Sequence, residues 1–353
     1  MSLAPASQSP PKRILLVKLS SLGDVVHAMP VVHDILQAHP GALIDWVVEP
    51  AFAPLVRRVQ GINTVIECSL RRWTKQWWTS AVRIEWRAFR LSLGAVKYDA
   101  VIDLQGLTKS AVVARLAHGV SYGLAHATEG SSFEAPARWL IDKPISVPSR
   151  IHAVERSRQL AAAALQFELQ GAPNFGLTAT VQLPAWTDAP PTVVFVHGSS
   201  RDDKLWPEAH WTALGQRLVA AGWHIALPRT GEVERARANR IAAAIGPLAE
   251  VWPAMNLDAL TERMQLTRAV VGVDSGLSHI AVALGLPHIQ IYNFATAWRT
   301  GPQPSHGHVH QVSVEAASST APAPSLEAVW AAWQQVAPNH SHNANANGNA
   351  SVV

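Results

Sequence analysis

Short apolar runs alternate with helical patterns along nearly the whole chain. Ile14-Leu15-Leu16-Val17 opens the series. A run with no polar face fits a strand of a parallel sheet, covered by helices on both sides. Further strands are predicted at 44–48, 63–66 and 98–103, and helices at 24–38, 109–118 and 151–165. The pattern then lapses over 171–191, where prolines and glycines gather with little periodicity; such a stretch predicts a connection between two units. The alternation resumes with strands at 192–197, 224–227, 269–273 and 289–292, and helices at 206–222, 232–245, 258–266, 277–284 and 326–336. The expected fold class is α/β, with two Rossmann-like domains facing each other across a cleft. The expected boundaries are 13–170 for the first domain, 171–191 for the linker and 192–336 for the second. Residues 1–12 and 337–353 read as disordered tails, the latter from its Asn, His, Ser and Ala content.

Composition narrows this picture. A chain of 353 residues is too long for one comfortable open-sheet domain and suits two. No apolar stretch reaches the roughly 18–20 residues of a membrane span. The first dozen residues lack the apolar region of a secretory signal. The single Cys68 excludes an intrachain disulfide and a cysteine-only metal site. Within Val65-Ile66-Glu67-Cys68 it reads as a packed thiol. These features together point to the cytoplasm. The net charge of +4 suits an anionic partner such as nucleic acid, a phosphorylated sugar or an acidic membrane surface, and equally suits an ordinary basic enzyme.

Four segments carry candidate chemistry. In Val273-Asp274-Ser275-Gly276-Leu277-Ser278-His279 a strand ends in a polar turn and a helix begins at once. Its first N–H groups and hydroxyls suit a diphosphate, or Asp274 or Ser275 simply caps the helix. Without the full G-x-G-x-x-G spacing, an ordinary NAD site is not supported. Lys18-Leu19-Ser20-Ser21-Leu22-Gly23-Asp24 also follows a strand. Asp24 reads either as a helix cap or as a general base at the cleft rim. The loop Gly198-Ser199-Ser200-Arg201-Asp202-Asp203-Lys204 places a hydroxyl pair and a lysine at a strand end. Lys204 is either a solvated surface charge or a group that neutralises a leaving phosphate. Glu234 either accepts from ribose hydroxyls or complements its helix dipole. Last, Arg71, Arg72, Trp73, Lys75, Trp77 and Trp78 precede a helix whose Arg83, Arg87 and Arg90 share one face, while Trp78, Val82, Trp86 and Phe89 line a neighbouring one. This suits a phosphorylated amphipathic ligand at a membrane surface, single-stranded nucleic acid, or tryptophans packed on the core.

Seven stretches in order resemble glycosyltransferase family 9. They are Val17 to Val25, Asp45 to Glu49, Arg71-Arg72-Trp73, Asp103 to Ser110, His152 to Arg156, Arg201 to Lys204 with Trp206-Pro207, and Asp274 to His279. The resemblance spans about residues 13–335. It implies a GT-B fold, with the acceptor on the N-terminal domain and the donor on the C-terminal one. It also implies inverting transfer of L-glycero-D-manno-heptose from ADP-heptose to the first Kdo of Kdo2-lipid A, without metal or cofactor, at the cytoplasmic face of the inner membrane. By position in these motifs, Asp24 takes the place of the general base. Ser199, Ser200, Lys204, Glu234, Asp274, Ser275, Gly276, Leu277 and His279 match donor-binding positions. Arg71, Arg72 and Lys75 would hold the phosphate and carboxylate groups of the acceptor. Two departures stand out. Ser199, Ser200 and Ser275 replace threonines common in the family, and residues 125–150, where acceptor loops are expected, diverge.

Three rivals compete with this expectation: a family member acting on a heptosylated acceptor, a sugar-nucleotide epimerase, and a non-catalytic nucleic-acid-binding protein. The last explains the Arg/Trp segment but not the polar loops after strands in both halves.

Overall fold

The computed structural model describes residues 12–177, 191–318 and 321–337. Most of the expected linker and nearly all of both expected tails lie outside the described residues. The first sheet consists of β1 (Arg13–Val17), β2 (Leu43–Val48), β3 (Ile62–Glu67), β4 (Ala100–Asp103), β5 (Ser121–Leu124) and β6 (Lys143–Ile145). The second consists of β7 (Thr192–Val196), β8 (His224–Leu227), β9 (Ala249–Val251), β10 (Ala269–Val273), β11 (His288–Tyr292) and β12 (Gln311–Glu315). Their orders are β3-β2-β1-β4-β5-β6 and β12-β11-β10-β7-β8-β9. Read from the opposite edge, the second order is the first one repeated. All of these pairings are parallel. In each half the chain reverses direction across the sheet between its first and fourth strands, where doubly wound sheets open a crevice.

The sequence pattern predicts the central strands and misses β5, β6, β9 and β12. Each of these is short or lies at an edge, and β6 contains Pro144, which an edge position tolerates. The helix expected over 24–38 is two helices, Leu22–Ala28 and Pro30–Ala38. Pro30 has no N–H to continue the first ladder, so the second helix starts there with Pro at its first position. The helix Ser80–Gly94 buries Val82, Phe89 and Leu93. Trp78 departs from the expected apolar face: it precedes this helix and is exposed.

The two halves share one apolar core. Ile14, Leu16, Val25 and Met29 of the first half belong to the same buried cluster as Val194, Val196, Val270 and Ile280 of the second. The bridge runs through the helices Leu22–Ala28 and Gly276–Ala283, which pack against each other. Polar contacts flank it on both sides. Arg58 Nη1 donates to Asp258 Oδ1 at 2.5 Å. On the other flank His152 Nε2 lies 3.0 Å from the Gly301 carbonyl, and Arg150 lies over the Trp298 ring, 4.0 Å from its centroid. The described part of the expected linker packs on the first half: Phe175 is buried, and Leu177 bridges to Val59.

Candidate active site

The loops after β1 and β4 meet those after β7 and β10, and two adjoining recesses open between them. One, of about 370 Å³, is lined mainly by the first half. The other, of about 700 Å³, is lined mainly by the second. Both are lined by Ser21, Gly23, Lys204, Asp274 and His279, so these residues form their common wall.

Asp24 stands at N3 of the Leu22–Ala28 helix, and its two oxygens differ. Oδ2 accepts from the Ser21 backbone N–H at 3.2 Å and from Ser21 Oγ at 2.8 Å. This is the capping geometry expected near a helix start. Oδ1 faces Lys18 Nζ at 3.8 Å and Arg156 Nη2 at 4.0 Å. The capping reading of Asp24 therefore holds for Oδ2, and Oδ1 takes no part in the cap. Burial pushes the Asp24 carboxyl up, but Lys18, the Ser21 hydroxyl and Arg156 outweigh it and leave the group below its ordinary value. Lys18 is itself buried, which pulls its ammonium down, while Asp24 pulls it back up. Behind them, burial raises the Asp103 carboxyl to about 6, against hydrogen bonds from Gln105 N, Ser110 Oγ and Gly106 N. Gln105 Oε1 accepts from Leu19 N at 2.8 Å and so fixes the backbone leading to Ser21.

In the second half, both oxygens of Asp274 are engaged. Oδ2 accepts from Lys204 Nζ at 2.5 Å, and Oδ1 lies 3.3 Å from His279 Nε2. Burial raises this carboxyl, but His279 and Lys204 more than offset it and hold it well below the usual carboxylate range. Ser275 is the N-cap of the Gly276–Ala283 helix but makes no side-chain cap bond. Its hydroxyl is buried without a hydrogen-bond partner among the described residues. Ser278 is different: its Oγ donates to the Val273 carbonyl at 2.6 Å, so the strand end uses one of the hydroxyls this loop could offer a diphosphate. Glu234 Oε2 accepts from Thr230 N at 2.6 Å and from the Thr230 hydroxyl. A Cβ at position 198 would fall 1.7 Å from Glu234 Oε1, so Gly198 makes room for this carboxylate. Ser199, Ser200, Gly276 and Leu277 line the larger recess with it.

The basic segment divides. Arg71 lines the smaller recess, held by Glu49 Oε1 at 3.1 Å and near Ser20 Oγ at 3.5 Å. Arg72 turns to Glu85, and Lys75 is exposed; neither lines either recess. In their place the structure brings in Lys18, Lys109, Arg156 and Arg299. With Arg71 and Lys204 these make six basic residues against Asp24 and Asp274, so the smaller recess favours an acidic ligand. Lys18 and Arg156 lie inside the motifs quoted above, and sequence reasoning gives them no role. The signal was there: a lysine directly after an apolar strand and an arginine in an alanine-rich helix, both in settings that bury charge.

A carboxylate oxygen flanked by cations on one side, and a lysine with helix N–H groups on the other, suit transfer from a diphosphate-linked donor. Similarity to known proteins gives the family. The family model of glycosyltransferase family 9 (heptosyltransferase) matches residues 86–325. Lipopolysaccharide heptosyltransferase 1 of Escherichia coli K12 is 41% identical over 284 residues, covering 79% of this chain and 87% of that protein. The structure of E. coli heptosyltransferase WaaC with ADP aligns at a TM-score of 0.82 and 36% identity, covering 92% of this chain and all of the other. Its counterpart with ADP-2-deoxy-2-fluoro heptose aligns at 0.77, also at 36% identity, covering 90% of this chain and 98% of the other. The fold is GT-B, and with this likeness running through both halves the chain belongs to glycosyltransferase family 9.

Proposed function

We propose that the chain transfers L-glycero-D-manno-heptose from ADP-heptose to the first Kdo of Kdo2-lipid A, with inversion at the anomeric carbon. The observation that carries this reading is the common wall. Lys204, Asp274 and His279 of the second half belong to it, and with Asp24 of the first half they line the smaller recess together. The name of the E. coli relative and the two WaaC complexes support ADP-heptose as donor. The acceptor would occupy the basic recess of the N-terminal half, with the enzyme peripheral on the cytoplasmic face of the inner membrane.

The chemistry is one in-line displacement. The acceptor hydroxyl oxygen attacks the anomeric carbon of heptose, its proton passes to Asp24 Oδ1, and the bond from that carbon to the diphosphate oxygen breaks. Lys204 and the N–H groups after Ser275 take up the charge on departing ADP. Asp274 holds Lys204 and His279 in place, so its role is positioning. Ser199, Ser200 and Glu234 would bind the rest of the nucleotide from the wall of the larger recess. The low pKa of Asp24 keeps it ionised and ready to accept, at the expense of basicity.

The test is ADP release from ADP-heptose, with and without Kdo2-lipid A. Release that requires the acceptor is expected. Acceptor-independent release would sink the reading, and a heptosylated acceptor would be tried next.

A further inference from the structure

Most large side chains of this protein are inside, including Trp46, Trp206, Trp211, Trp223 and Trp252. The segment Leu70 to Gly94 breaks that rule. Trp77 and Trp78, in the turn before the Ser80–Gly94 helix, are 69% and 61% exposed. On the helix itself Ile84 and Leu91 are 67% and 73% exposed. Seven residues apart, they share one outward stripe, with Arg87 between them and Arg83 and Arg90 alongside. An ordinary outward face is polar, with both signs of charge mixed. Here the residues between Leu70 and Gly94 include six cations (Arg71, Arg72, Lys75, Arg83, Arg87 and Arg90) and one acid, Glu85, which Arg72 already engages. An apolar pocket of about 230 Å³ lies in the same hairpin, walled by Leu70, Trp73, Trp77, Val82 and Trp86.

From these features we infer that the turn at Trp77-Trp78 and the outer stripe of the Ser80–Gly94 helix dock on an anionic phospholipid bilayer. A helix lying in the interface buries apolar side chains at the acyl boundary and sets arginines against lipid phosphates. Indole rings suit the same depth, with an apolar body and an N–H that reaches the wet headgroups. Single-stranded nucleic acid would use the tryptophans and arginines, but it gives Ile84 and Leu91 nothing to do. The inference rests on the membrane-lipid acceptor proposed above. It adds where the protein meets the membrane: the hairpin that docks also carries Arg71, which lines the acceptor recess.

The experiment is co-sedimentation of the full chain with vesicles of phosphatidylcholine alone or mixed with phosphatidylglycerol. Binding is expected to the mixed vesicles and to fall with added salt. The Trp77→Ser/Trp78→Ser and Ile84→Ser/Leu91→Ser variants should each partition about tenfold or more weakly, with ADP affinity unchanged. Replacing Arg83, Arg87 and Arg90 with Gln should abolish the preference for anionic lipid. The inference is overturned if wild type ignores anionic vesicles, if the apolar variants bind them as wild type does, or if a single-stranded RNA oligonucleotide displaces the vesicles. Transfer to a deacylated acceptor in solution is measured separately. Its failure would count against the proposed function, whereas vesicle binding reads the docking surface alone.

Discussion

Gly23 and His279 meet across the two halves so closely that a Cβ on the glycine would lie 2.6 Å from His279 Cδ2. The contact has a counterpart: a Cβ on Gly276 would lie 2.6 Å from the Leu22 side chain. Each helix start thus presents a bare backbone to the other. His279 has little room to retreat, because the His27 ring stands behind it with centroids 4.3 Å apart. Gly23→Ala should therefore cost about 1–3 kcal/mol by overpacking and push the halves apart. Thermal unfolding would show it as a lowered Tm, and an unchanged Tm would mean the joint is softer than it looks.

Asp24→Asn separates the capping contact of this residue from the role of base proposed for it. The amide oxygen can still accept from Ser21, so the helix start should survive, but the side chain no longer takes a proton. Turnover should drop by about 10²–10⁴-fold while ADP affinity and Tm stay near wild type. Turnover within a few-fold of wild type would remove Asp24 from the chemistry.

Lys204→Ala removes the partner of a buried carboxylate oxygen. ADP binding should weaken by roughly 10–100-fold, the value of one charge-assisted contact. Asp274 is then left with His279 alone, so stability should fall as well. Adding Asp274→Asn to Lys204→Ala should restore stability but not ADP affinity. Calorimetric titration with ADP, paired with melting curves, checks both halves of this expectation.

Acid should destabilise the fold well before carboxylates are fully titrated. Burial, with His306 adding to it, holds His152 at about 4, against an ordinary 6.5. Burial likewise holds His197 at about 4 and His288 at about 3. For each, the unfolded chain binds the proton more readily, so the related stability is full above pH 6.5 and lost as pH falls toward the folded value. Asp103 acts in the opposite sense: its carboxyl, raised to about 6 from 3.8, favours the fold at low pH and loses that contribution as pH rises through about 6. His27 and His308, which burial also lowers, act in the same sense as these three histidines, and together they outweigh Asp103, so acidification gives a net loss. Tm measured between pH 7 and pH 4 should fall steadily, and His152→Gln should flatten the slope.

The shared core makes a further demand. Interfaces between domains are usually polar enough to let each half move or melt alone. Here Val25 and Ile280 sit in one buried cluster that reaches into both sheets. Calorimetry should show a single unfolding transition, with van't Hoff and calorimetric enthalpies in agreement. Two resolved transitions would show that the bridge between the halves adds little.

How much of this could be read from the sequence depended on burial. β1, β7 and β10 lie in the middle of their sheets, so past Arg13 and Thr192 their residues are apolar and announce themselves. At the edges, β6 (Lys143-Pro144-Ile145) and β9 (Ala249-Glu250-Val251) are three residues long and no more than half-buried, leaving almost no pattern. The polar loops could be read individually, since each follows a predicted strand. Their joint arrangement could not. Nothing local in the sequence tells that Arg156 reaches Asp24, that Arg72 turns to Glu85 instead of the recess, or that Ser278 Oγ bonds the Val273 carbonyl. Those outcomes follow from how the helices pack, which periodicity does not encode.

For the base role proposed above, the different surroundings of the two Asp24 oxygens have a geometric consequence. With one oxygen committed to Ser21, a proton can be received from one side only. An acceptor hydroxyl that uses this base must therefore approach along a fixed line, and so must present a fixed face to the sugar it attacks. On this view the start of the Leu22–Ala28 helix sets the side from which the acceptor meets its base, while the in-line displacement itself inverts the anomeric carbon.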